Sequence, residues 1–305
     1  MGNWQVIDAQ ADLTVHHLPL QGAALVTALK DADAAVMVRD CTPLDGAVLA
    51  QLPKLRCLVF TGSRNSTIDL AAFEARGIPV SHNEWGPSKD STCELTWALI
   101  LDATRQLEQQ AALLRSGRWR SAATEPLAGV LHGQTLGLIG LGEIGGRVAQ
   151  VGKALGMKVL AWSPRMTAER ALEKGAIYVP LDELLATSKV VSLHLMVTAA
   201  TQHLLNANKL ALMQAGSLLV NTSRSALVDG AALVDALKEG QPGFAALDVF
   251  DTEPLPLDDP LRQLPNVLMT PHLGFVTEPV YQHFAAGVTE CLEAWLAGAP
   301  LISKL

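Results

Sequence analysis

One short segment limits this chain more than any other: Thr135-Leu-Gly-Leu-Ile-Gly140-Leu-Gly142-Glu-Ile-Gly145. An apolar run enters a glycine-rich turn, and a helical pattern leaves it. Gly140, Gly142 and Gly145 satisfy G-x-G-x-x-G, and each glycine meets a different demand. Gly140 permits the tight strand-to-helix turn, Gly142 lets backbone approach a pyrophosphate, and Gly145 lets helix and strand pack closely. The free N–H groups of the helix start then face the phosphates. The chain carries 24 glycines, so the pattern alone is weak, and its strand-turn-helix context is what gives it weight. The expectation is a dinucleotide-binding α/β domain. Glu143 and Ile144, inside the turn, join the three glycines as expected cofactor contacts.

The rest of the chain repeats the strand-helix rhythm. Apolar runs at 34–38, 55–60 and 78–80 frame a helix at 69–75. Further runs lie at 158–162, 190–195, 217–220, 243–247 and 267–270. Alternating short apolar runs and helical patterns predict parallel sheets covered on both faces. A stretch without Pro or Gly from Thr92 to Leu114 predicts one long helix, and a loop follows at 116–133. A helical pattern from Glu278 to Ala297 follows the second unit and is expected to cross back to the first. The expected fold class is α/β with two Rossmann-like domains. A discontinuous substrate-binding domain, flavodoxin-like, spans 1–98 and 277–305, and a doubly wound dinucleotide-binding domain spans 99–276.

At 305 residues, 49% hydrophobic and 17% charged, the chain has the material for two cores. A net charge of −7 without a basic run argues against nucleic acid or an anionic membrane as partner. No apolar run is long enough to span a bilayer, and the N-terminus lacks the pattern of a signal peptide. Cys41, Cys57, Cys93 and Cys291 fall in no ligand spacing. They are expected to be reduced, buried thiols of a cytoplasmic protein, and no metal site is expected.

The strand after the fingerprint ends Val159-Leu-Ala-Trp-Ser163-Pro-Arg165. A carboxylate near this point would hold the ribose hydroxyls of NAD, whereas a guanidinium suits the 2′-phosphate of NADP. Ser163 and Arg165 therefore favour NADP, with NAD the alternative.

Three later segments set polar residues at strand ends. Arg224 follows Leu219-Val220-Asn221-Thr222-Ser223, where a guanidinium fork can grip a carboxylate and polarise a ketone. Asp248 ends a strand, and Glu253 lies in the turn beyond it. His272 follows Met269-Thr270-Pro271 and precedes Leu273-Gly274. Hydride transfer to a ketone needs a proton donor, and histidine serves near neutral pH. A carboxylate on its far nitrogen fixes the tautomer, and Glu253 is the natural candidate.

With GLGEIG, VNTSRSALVD, AALDVFDTEPLP and TPHLG on the page, the chain resembles the D-isomer-specific 2-hydroxyacid dehydrogenases, most strongly over 134–274. The resemblance implies reversible reduction of a 2-oxo acid, with glyoxylate or hydroxypyruvate as the guessed substrate type. Arg224 would bind substrate, Glu253 would orient the base, and His272 would be the acid/base. Asp248 would hold the nicotinamide carboxamide. His194, Met196, Thr201, Thr222 and Gly274 would lie beside the cofactor. A homodimer is also implied.

The departures from the family pattern are specific. Gly62-Ser63-Arg64 stands where a Gly-x-Gly turn usually offers amides to the substrate carboxylate, which makes Ser63 and Arg64 candidate substrate contacts. Met196 stands where Pro is usual. Glu253 in place of Gln argues against formate dehydrogenase. The chain's end soon after its last helix carries the expectation that no regulatory domain follows. Two rivals stay open: a dinucleotide-sensing binding protein of the same fold, and a dehydrogenase of another small anion.

Overall fold

The structure is a computed structural model that describes residues 5–18, 20–39, 41–65, 67–120 and 127–301. Part of the loop at 116–133, residues 121–126, lies outside the described residues, Pro126 among them. The chain divides into two compact units, residues 1–88 with 276–305 and residues 89–275.

In the first unit, α1 (Gln5–Asp8) and α2 (Gly22–Leu29) precede β1 (Ala34–Met37). Then come α3 (Gly46–Leu49), β2 (Cys57–Phe60), α4 (Leu70–Ala75) and β3 (Val80–His82). The strands form a parallel sheet in the order β1-β2-β3. Alternation along β2 serves both faces. Leu58 and Phe60 pack with Leu25, Leu49 and Phe73 from the helices on one side. Cys57 and Val59 pack with Val288, Cys291 and Leu292. Those three belong to the C-terminal helix, which therefore completes this first core. Asp69 caps α4 by accepting from the Ala72 amide at 3.2 Å, so the helix begins where the sequence places a capping residue.

The second unit begins with α5 (Ser88–Arg105) and α6 (Leu107–Arg115). The single helix expected over 92–114 is in fact two. Gln106 adopts a left-handed conformation, φ 55°, a break that no Pro or Gly announces. The unit continues β4 (Thr135–Ile139), α7 (Glu143–Ala154), β5 (Lys158–Trp162), α8 (Ala168–Glu173), β6 (Ile177–Tyr178), α9 (Leu181–Thr187) and β7 (Val190–Leu193). It ends α10 (Ala207–Leu210), β8 (Leu218–Asn221), α11 (Gly230–Glu239), β9 (Phe244–Leu247) and β10 (Val267–Met269). The last helix, α12 (Glu278–Leu296), is the one that returns to the first unit. The seven strands are parallel in the order β10-β9-β8-β7-β4-β5-β6. β4, β7 and β8 are buried almost throughout, as strands covered on both faces must be. The strand order reverses between β4 and β7, and ligands of open α/β sheets bind at the carboxyl ends beside such a switch. β6 is a two-residue edge strand with both residues exposed, too short and too wet to leave a sequence signal.

Two expectations are corrected here. Cys57, Cys93 and Cys291 are buried free thiols, but Cys41 is exposed, because it lies in the loop beyond β1. The break at Gln106 is the other. Among the described residues no helix is long and apolar enough to cross a membrane.

Two adjacent glycines of α7 should respond oppositely to alanine. A Cβ at Gly145 would stand 2.1 Å from the Gly140 carbonyl oxygen, whereas the nearest atom to one at Gly146 is on the Lys174 side chain at 3.8 Å. Backbone cannot step aside as a lysine tip can. Gly145→Ala should therefore cost about 1–3 kcal/mol of stability. Gly146→Ala should be neutral or add about 0.5–1 kcal/mol through helix propensity. Urea unfolding of both variants checks this, and equal midpoints would contradict it.

Candidate functional site

The fingerprint turn lies at the switch between β4 and β7. Gly140 has φ +104°, and a Cβ there would meet the His194 carbonyl oxygen, just past β7, at 2.5 Å. The turn is thus clamped against the next strand end. Around Gly142 the situation is opposite: an added Cβ would meet nothing within 4 Å. Gly142 caps α7 without a side-chain bond. The start of this 12-residue helix therefore presents backbone to open space, as a bound pyrophosphate requires. Ile144 packs into the core behind the turn. Glu143 is exposed, and its hydrogen bond from Arg147, with Lys89 and Lys174 nearby, lowers its pKa. A groove of about 710 Å³ runs along the outer face of α7 past Gly142, Arg147, Lys153 and Gly175. It contains none of Arg224, Glu253 and His272.

Ser163 is partly buried at the end of β5, and Arg165 is exposed beyond it. Arg170 donates to the Arg165 carbonyl at 3.0 Å. Two guanidinium groups therefore belong to this loop. A second arginine one helical turn into α8 is a signal that the sequence did contain.

Beyond β7, His194 Nε2 lies 2.9 Å from the Ser192 hydroxyl. Although part of the residue reaches the surface, burial of its ring pushes the imidazole down to about 4, so it is neutral at ordinary pH. The Thr201 hydroxyl donates to the Met196 carbonyl at 2.9 Å and accepts from the Thr198 amide at 2.8 Å. Thr201 thus shapes this loop from inside, while the Met196 side chain stays exposed. Thr222, past β8, is buried and bonded to Thr96 of α5 at 2.8 Å.

The two residues expected as the base and its orienting carboxylate lie in contact. His272 Nδ1 stands 2.7 Å from Glu253 Oε2, and Glu253 Oε1 accepts from the Phe250 amide at 3.0 Å. Burial alone would raise the Glu253 carboxyl. The hydrogen bonds from His272 and the Phe250 amide, with the charges of His272 and Arg224, outweigh that and hold it below the usual carboxylate value. With Nδ1 committed to Glu253, Nε2 is the nitrogen left to exchange a proton. His272 itself has φ +54°, an uncommon backbone for a non-glycine residue.

Asp248 is what holds that backbone. It is fully buried. One oxygen accepts from Thr270 Oγ1 at 2.6 Å and the Leu273 amide at 2.7 Å, and the other from the Gly274 amide at 2.9 Å. Burial raises its pKa, and these bonds only partly offset the rise. Gly274 in turn accepts from Ser91 and Thr92 of α5. Arg224 is exposed and donates to the Ser223 carbonyl at 2.8 Å. Asn221 fixes the turn before it, donating to the Arg224 carbonyl at 2.9 Å and accepting from the Ser223 amide at 3.0 Å. Thr96 and Ser91 leave no signal in the sequence, because their bonds to Thr222 and Gly274 exist only across elements.

In the first unit, the Gly62 amide donates to Asn83 at 2.9 Å, and Ser63 Oγ accepts from the Trp85 indole at 2.5 Å. Arg64 is exposed. Among the described residues no group of three or more His, Cys, Asp or Glu is arranged to hold a metal.

The chain has relatives of known family and fold. Residues 97–274 match the model of the D-isomer specific 2-hydroxyacid dehydrogenase NAD binding domain. The chain is 35% identical over 292 residues to a glyoxylate reductase of Korarchaeum cryptofilum, covering 95% of this chain and 87% of that one. It is 40% identical over 260 residues to a glyoxylate reductase of Aeropyrum pernix, covering 84% and 77%. A crystal structure described as phosphoglycerate oxidoreductase from Vibrio cholerae superimposes with TM-score 0.89 at 35% identity, covering 98% and 95%. With a family domain matched across the whole second sheet and its strand ends, the chain belongs to the D-isomer specific 2-hydroxyacid dehydrogenases, oxidoreductases that work with a nicotinamide dinucleotide.

Proposed function

We propose that the enzyme reduces small 2-oxo acids, glyoxylate and hydroxypyruvate first among them, to the 2-hydroxy acid of D configuration, with NADPH preferred to NADH. The His272–Glu253 contact at 2.7 Å is the observation that carries this reading. Residues 89–275 bind the dinucleotide, with the 140–145 turn on its pyrophosphate and the loops after β7, β8 and β9 beside it. The first unit, residues 1–88 and 276–305, takes the substrate, through the turn at Gly62, Ser63 and Arg64. Arg224 binds the carboxylate and polarises the ketone. When bound, the reduced nicotinamide supplies the hydride to the carbonyl carbon. His272 gives the proton to the carbonyl oxygen from Nε2, while Glu253 holds Nδ1–H and stabilises the charged ring. His272→Ala should lower kcat by about 10²–10⁴-fold with little change in dinucleotide affinity. Glu253→Gln should reduce kcat in the same direction by less. Steady-state kinetics with a fluorescence titration of reduced cofactor reads both, and an undiminished kcat in His272→Ala would refute the assignment.

The NADP preference is supported by the lack of a carboxylate at Ser163 and by Arg165 with Arg170. A guanidinium bonded to a phosphate is worth a large share of binding. The double variant Arg165→Ala/Arg170→Ala should lose about 10–100-fold in kcat/KM with NADPH and little with NADH. A parent that prefers NADH would overturn the preference and leave the reaction intact.

The buried free thiols Cys57, Cys93 and Cys291 support a reducing, cytoplasmic compartment. An apolar surface supports the homodimer. Leu107 and Leu114 of α6 are exposed, and beyond them Trp119 is 82% and Leu127 83% exposed. Large apolar groups left exposed are costly in water and are favoured at interfaces. Leu107→Glu/Trp119→Glu should sediment at half the mass of the parent. A parent that sediments as a monomer would end this part of the reading.

A further inference from the structure

In the first unit, three loops leave the carboxyl ends of three parallel strands: Arg39 beyond β1, Gly62–Asn65 beyond β2, and Asn83–Trp85 beyond β3. The middle loop is braced by both neighbours. The Arg39 amide donates to Thr61 Oγ1 at 3.1 Å, and the Asn65 side chain donates to the Arg39 carbonyl at 2.6 Å. Asn83 accepts from the Gly62 amide and donates to the Phe284 carbonyl at 2.8 Å.

Trp85 is the bulky member of this cluster, and it is fixed from several directions. Its indole N–H donates to Ser63 Oγ. The Arg39 guanidinium lies over its ring, 4.4 Å from the centroid, a contact that holds an aromatic group in place. Phe284 meets it edge-on at 6.4 Å. No space separates it from the turn: a Cβ at Gly62, where φ is +89°, would come within 2.8 Å of the indole edge. Yet Trp85 is only partly buried. A large ring, held by these contacts, thus stands against the turn and keeps part of its surface exposed.

We infer that Trp85 is the specificity-determining residue of the reaction, a fixed wall that admits 2-oxo acids bearing hydrogen, methyl or hydroxymethyl and excludes those bearing a large apolar group. The inference rests on the reading above, in which the Gly62–Arg64 turn receives the substrate. A rigid wall discriminates by size: one excess methylene in a fitted pocket already changes kcat/KM by about 10–200-fold. A mobile side chain would give way and discriminate less. Because the indole also steadies the turn, removing its bulk and removing its N–H have separable effects.

The test measures kcat/KM for glyoxylate, hydroxypyruvate and phenylpyruvate with saturating reduced cofactor in the parent, Trp85→Leu, Trp85→Ala and Trp85→Phe. In the parent, glyoxylate and hydroxypyruvate should exceed phenylpyruvate. In Trp85→Leu and Trp85→Ala the phenylpyruvate-to-glyoxylate ratio should rise by about tenfold or more. Trp85→Phe keeps a ring but loses the bond to Ser63. It should hold the ratio within about threefold of the parent while raising KM for all three acids. A purely structural role would lower all rates together and leave the ratio alone, so an unmoved ratio in Trp85→Leu overturns the inference even if Trp85→Ala fails to fold. A parent that reduces phenylpyruvate as well as glyoxylate overturns it too. A parent that reduces none of the three removes the functional reading beneath it, which is a different failure.

Discussion

A buried carboxylate held by hydroxyl and backbone donors organises the carboxyl-end loops of the second unit. Asp248 is fully enclosed and is answered by three donors from residues 270–274. A buried anion without such bonds costs several kcal/mol, and removing one donor exposes much of that cost. The segment around His272 is therefore held to one conformation, including the uncommon φ of +54° at His272 itself. The same segment is tied onward, through the Gly274 carbonyl, to Ser91 and Thr92 at the start of α5. Backbone strain persists only where the surroundings over-determine it, and here they do.

The parallel sheet does the rest of the positioning. Every strand of the second unit runs the same way, so Gly140, Ser163, His194, Thr222, Asp248 and Thr270 follow the carboxyl ends of six strands. Each loop brings its own local solution: Asn221 bonds across the turn at Arg224, and Thr201 closes the loop after Met196. Several polar groups expected beside the cofactor thus have a first task within the protein, which is to hold their own loop in shape.

This division explains what could be read in the sequence. Strand cores are continuous apolar runs and glycines at a turn have fixed spacing, so β4, β5, β8 and β9 and the fingerprint were legible. So were the two carboxyl-end residues whose partner lies in a neighbouring turn, Glu253 and His272. Gln106 was not, because a left-handed residue without glycine leaves no compositional mark. β6 was not, because two exposed residues carry no hydrophobic pattern. The loops at 62–65 and 81–85 could be picked out as the ones facing substrate, but the contacts of Asn83 and Trp85 with Gly62 and Ser63 could not, since they depend on β2 and β3 lying side by side. The two-unit division places its first boundary at 88/89 instead of 98/99, because Cys93 and Trp97 near the start of α5 are buried in the core of the second unit.

The His272–Glu253 pair shows why stability and chemistry must be weighed separately. Both side chains keep about a third of their surface, 32% and 38%. An ion pair so open to water contributes only about 0–1 kcal/mol to folding, far less than the buried bonds of Asp248. Its value therefore lies elsewhere. A neutral imidazole has two tautomers, and an unpaired ring would divide its proton between them. Glu253, held below the usual carboxylate value by its donors, selects the form with hydrogen on Nδ1, the arrangement that the proposed proton transfer requires. The fold spends its buried polar bonds on the backbone beneath His272, and a weak, exposed bond suffices to turn the ring.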